Sequence, residues 1–94
     1  MVKKLKDVMN ELQEVSLREL SEFAYANYRE REQDAKEKVR KAFNLAAEKQ
    51  SEVVKEKLVD IFNKVIQAIE HVGYANYTER ESEARAMINE AFSN

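Results

Sequence analysis

Four stretches of the chain place apolar residues three and four positions apart, the spacing that collects them on one side of a helix. Over residues 3–24, Leu5, Val8, Met9, Leu12, Val15, Leu20 and Phe23 form such a stripe. Ser16 interrupts it and Leu17 lies at its margin. Residues 29–47 carry a narrower stripe of Ala35, Val39, Ala42, Phe43 and Ala46. Opposite charges recur there at i and i+4 (Glu32–Lys36, Asp34–Lys38 and Glu37–Lys41), with the acid first. That orientation supports a solvated helical surface.

Residues 52–72 show the broadest apolar arc: Leu58, Val59, Ile61, Phe62, Val65, Ile66, Ala68, Ile69 and Val72. An arc covering about half the circumference can meet two neighbours. This helix is expected to be the most buried element. A fourth helix over 78–92 turns Ala84, Met87, Ile88, Ala91 and Phe92 inward.

The ends carry their own signals. Gly73 offers the left-handed residue that closes many helices and is expected to end the third. Thr78 with Glu81 fits a capping box, and Asn76 with Glu79 competes with it. The first half retains only the second option, as Asn27 with Glu30. Between the second and third helices the chain has neither glycine nor proline. A break is expected within Asn44–Ser51, with Ser51 as the cap. The alternative is a fused central rod and a three-helix, exchanged or elongated dimer.

The pattern also repeats. Tyr25-Ala26-Asn27-Tyr28 returns forty-nine positions later as Tyr74-Ala75-Asn76-Tyr77. At the same interval Ala35 becomes Ala84, Val39 becomes Ile88, and Ala42-Phe43 becomes Ala91-Phe92. A fixed period sets architecture. The chain therefore reads as one all-α domain over 1–94 with an internal repeat, 1–45 and 50–94. The expected fold is a four-helix bundle of two pseudo-symmetric helical hairpins.

Composition narrows the reading. One glycine and no proline suit helices better than sheets. A 36% charged content could signal disorder, but 44% hydrophobic residues in clear periods oppose it. No cysteine is present, so disulfides and thiolate chemistry are excluded. Met1–Asp7 lacks the apolar stretch of a signal peptide, and no run resembles a transmembrane helix. The expected location is the cytoplasm. Net charge is −2, divided as +1 over 1–47 and −3 over 48–94, without the basic excess of a dedicated nucleic-acid binder.

Candidate chemistry is sparse. Tyr25, Tyr28, Tyr74 and Tyr77 are the partner-binding candidates, since tyrosine combines a large apolar ring with a hydroxyl. Their structural alternative is to plug the bundle end, a role that suits Tyr28 and Tyr77 better. Arg29, Lys36 and Arg40 share a helix face and could touch successive phosphates, although a solvated face is the simpler explanation. His71 is the only histidine and is expected on the polar surface. No Glu-x-x-His metal pattern and no glycine-rich phosphate loop is present.

These features point away from an enzyme and imply no cofactor or metal. The leading expectation is a regulatory or adaptor bundle that binds another protein and self-associates. A nucleic-acid-binding regulator using Arg29, Lys36 and Arg40 is the alternative. An orphan or designed bundle without a role is the third.

Overall fold

The computed structural model describes residues 4–26, 29–75 and 78–93, with side chains at 4–22, 32–72 and 80–93. Four helices follow in order: α1 (Leu5–Ala26), α2 (Arg29–Ala47), α3 (Glu52–Ala75) and α4 (Thr78–Phe92). α1 packs on α2 and α4, and α3 packs on the same two neighbours. The α1–α3 diagonal is slight. Contacts descend one helix as they ascend the next. Gln13 meets Asn89 while Ser21 meets Arg85, and Phe43 meets Phe62 while Lys36 meets Glu70. The result is an up-down-up-down four-helix bundle, 40 × 23 × 20 Å overall.

α2 ends at Ala47 and α3 starts at Glu52, inside the expected window. The fused central helix does not form. Ser51 supplies the reason: its Oγ accepts from the Val54 N–H at 3.4 Å, and its carbonyl accepts the Lys55 N–H at 2.9 Å. A serine at this position satisfies a backbone donor that the helix itself cannot. On the other side, the Gln50 N–H donates to the Ala47 carbonyl at 3.1 Å and tightens the exit from α2.

α3 does not end where its glycine suggests. Gly73 lies inside the helix, which continues to Ala75. Glycine in a helix costs only about 1 kcal/mol relative to alanine, so flanking turns can carry through it. α1 likewise runs past Ala24 to Ala26, with no glycine or proline to stop it. The Thr78–Glu81, Asn76–Glu79 and Asn27–Glu30 caps involve side chains outside the described residues.

The core follows the expected stripes closely. Leu12, Leu20, Val39, Phe43, Leu58, Ile61, Val65, Ile69, Val72 and Ile88 are buried, with Ala35, Ala68, Ala84 and Ala91 between them. α3 contributes more buried apolar side chains than any other helix among the described residues. The alanines let backbones approach, while Phe43 fills the space toward Phe62 and Phe92 with ring centroids 5.4 and 6.2 Å away. Such tilted pairs add about 0.5–1.5 kcal/mol each beyond area burial.

Three positions differ from the periodic reading. Ser16 does not interrupt the stripe; it is fully buried, and its hydroxyl donates to the Leu12 carbonyl at 2.7 Å. That bond to the preceding turn lets a polar side chain occupy an apolar position. Leu5 is exposed as the first residue of α1, and Val59, at the edge of the α3 arc, is 59% exposed.

Candidate functional site

The up-down-up-down path gathers the end of α1, the start of α2, the end of α3 and the start of α4 at one end of the bundle. The backbones of Tyr25 and Tyr74 occupy the last turns of α1 and α3 there. The backbones of Tyr25 and Tyr74 thus share one end rather than lying at opposite ends. The side chains of Tyr25 and Tyr74, and residues Tyr28 and Tyr77 altogether, lie outside the described residues.

The cationic face of α2 differs in character from a row of free charges. Lys36 has only 13% of its side chain exposed. Its Nζ donates to Glu70 Oε2 of α3 at 2.9 Å and lies 3.1 Å from Glu32 Oε2 one turn back. Burial disfavours this ammonium. The hydrogen bonds to Glu70 and Glu32, with the attraction of both carboxylates, outweigh that penalty and raise its pKa above the ordinary lysine value. Arg40 is exposed and pairs with Glu37. Glu37 therefore meets Arg40, one residue nearer than the anticipated Lys41. Asp34 and Lys38 pair as expected, at 3.6 Å. The Arg29 side chain lies outside the described residues.

His71 is not the simple surface histidine expected from the helical wheel. It is half-buried and joins α3 to α4. Arg80 Nη1 sits 3.2 Å from Nδ1, and Glu83 Oε1 sits 3.0 Å from Nε2. A guanidinium can only donate. Nδ1 therefore accepts from Arg80, and Nε2–H donates to Glu83. The two contacts fix the tautomer with the ring proton on Nε2. Among the described residues, no cluster of His, Asp or Glu is arranged to hold a metal ion.

Two groups escape the periodic reading. Glu19 is buried on the α1 side of the α1–α2 contact, 3.8 Å from Lys38 Nζ and 3.6 Å from Arg18 Nε. Arg85 of α4 pairs with Glu81 at 3.6 Å and donates to the Ser21 hydroxyl of α1. The signal for the first is Ala68, the buried counterpart of Glu19 forty-nine residues on. The second needs the helix order around the bundle, which periodicity does not supply.

Large apolar side chains also reach solvent away from the tyrosine end. Leu45 is 70% exposed and Val53 is 77% exposed. They flank the α2–α3 connection on separate helices, and a contiguous patch does not follow from them. No helix among the described residues is long and apolar enough to cross a membrane. No protein-family model, curated protein or solved structure matches the chain.

Proposed function

We propose that the chain is a non-enzymatic interaction module, a regulatory or adaptor bundle of the cytoplasm that binds another protein and also self-associates. The observation that supports this reading is that the backbones of Tyr25 and Tyr74 lie in the last turns of α1 and α3, at one end of the bundle. Two tyrosine-bearing helix ends brought together in this way suit a recognition role. Tyrosine ordering costs little side-chain entropy, which favours such a use.

The nucleic-acid reading has less support. Lys36 is held between two carboxylates and Arg40 faces Glu37. Only unmatched cations release counterions on phosphate binding with full effect.

The test is capture of partners by the tagged full chain from its source cells, with and without nuclease. The expected result is a retained protein that survives nuclease and is lost on the double substitution Tyr25→Ala and Tyr74→Ala, with helical ellipticity unchanged. Retention that disappears with nuclease, or a partner indifferent to both substitutions, overturns the reading.

A further inference from the structure

Contacts between the two hairpins recur at the interval of the sequence repeat. Lys36 of α2 touches Glu32 one turn back and reaches Glu70 of α3. Forty-nine residues on, Arg85 of α4 touches Glu81 one turn back and reaches Ser21 of α1. Ser21 is the counterpart of Glu70. Phe43 meets Phe92, which is its own counterpart. A residue touching its own equivalent marks the place where a two-fold axis would pass. Buried positions keep the same register: Leu12 with Ile61, Ser16 with Val65, Glu19 with Ala68, Leu20 with Ile69, Ala35 with Ala84, and Val39 with Ile88.

We infer that α1–α2 and α3–α4 are equivalent hairpins docked through a self-complementary surface, and that the partner fitting this surface is the opposite hairpin of a second copy of the chain, in a dimer opened at Glu48–Ser51. This inference rests on the self-association part of the proposed function and is independent of capture by the tyrosines.

Exchange preserves every helix pairing of the bundle. The α2–α3 and α1–α4 contacts form between chains instead of within one, and only the connection over 48–51 changes. That connection holds neither glycine nor proline. Its turn rests on the Ser51 cap and the Gln50–Ala47 bond. A short tether gives the closed form an effective concentration in the millimolar range. The closed monomer therefore dominates in dilute solution, and exchange grows on refolding at high concentration or when the tether is too short to close.

Two experiments on the full chain decide the matter. Deleting residues 49–51 joins Glu48 to Glu52 and prevents closure. The expected product is a dimer by light scattering with native helical ellipticity, and a helical monomer overturns the inference. The second experiment co-refolds K36E and E70K chains. Each alone opposes like charges across its α2–α3 contact. In a mixed exchanged dimer, the two substituted positions face each other with opposite charges at one contact. The other contact retains Lys36 with Glu70. Native mass spectrometry should show roughly tenfold more heterodimer than either homodimer: a statistical factor of two, and about fivefold from two contacts of opposite charge where each homodimer has two of like charge. If the deleted chain does not fold, this mixture decides alone, and absence of heterodimer overturns the inference.

Discussion

Replacing Lys36 by methionine tests whether the α2–α3 contact depends on a charge or only on packing. Methionine keeps a long apolar stem over the same surface, so lost packing contributes little. What disappears is an ammonium, 13% exposed, that bonds Glu70 at 2.9 Å and lies 3.1 Å from Glu32. Hydrogen bonds to charged groups contribute about 1.5–3 kcal/mol each, but Glu70 is 54% exposed and its share is much reduced by water. Glu32 is only 21% exposed, so its share survives better. The expected loss is about 2 kcal/mol, a fall in melting temperature of about 8–16 °C for a domain of this size. Urea unfolding should show a lower midpoint at unchanged slope. A double-mutant cycle with Glu70→Gln then isolates the pair: Glu70→Gln should destabilise the wild-type chain and be nearly silent beside Lys36→Met. Equal effects of Glu70→Gln in both backgrounds would refute the coupling.

The same contact predicts an alkaline signature. Desolvation works against the charged form of Lys36, but its bonds to Glu70 and Glu32 prevail and raise the folded-state pKa above the ordinary value. The unfolded chain releases this proton near pH 10.4, whereas the folded chain holds it to higher pH. The stabilisation is therefore complete below about pH 10.4 and is lost as pH rises through the folded value. Wild-type chain should lose stability across that window faster than Lys36→Met, measured by urea midpoints at matched ionic strength.

Four further substitutions probe other parts of the fold. Ser51→Ala should cost about 1 kcal/mol by removing the α3 cap, read from the urea midpoint. Ile88→Ala should cost about 2–4 kcal/mol because the side chain is fully buried, whereas Val59→Ala, at 59% exposure, should change the midpoint by less than about 1 kcal/mol. Glu19→Met should raise the melting temperature by about 4–8 °C. It removes a buried carboxylate whose cations, 3.6 and 3.8 Å away, are themselves more than half exposed and lose little when left to water.

Helix number, the broad face of α3 and the Ser51 break are legible in the chain because each depends on neighbours in sequence. Periodicity of apolar residues places Val39 or Ile69 inward whatever the tertiary arrangement. A serine ahead of an apolar run marks a helix start for equally local reasons. Departures arise where a local signal meets a nonlocal answer. Gly73 is a weak terminator, and helical turns on both sides carry through it. Ser16 reads as a gap in the stripe until its hydroxyl finds the Leu12 carbonyl. Lys36 and His71 read as solvated because a wheel of one helix cannot show Glu70 on α3 or Glu83 on α4. Glu19 reads as solvated on its own helix, and only its counterpart Ala68 on the α3 arc marks the position as inward. The tyrosine segments illustrate the limit from the other side. Their recurrence is visible at once, but the meeting of the Tyr25 and Tyr74 backbones at one bundle end follows only from the antiparallel order of all four helices. A repeated motif becomes a candidate site when topology joins its copies. The contacts of Lys36 with Glu70 and of Arg85 with Ser21 become visible in the same way, because each joins helices that the sequence alone does not bring together.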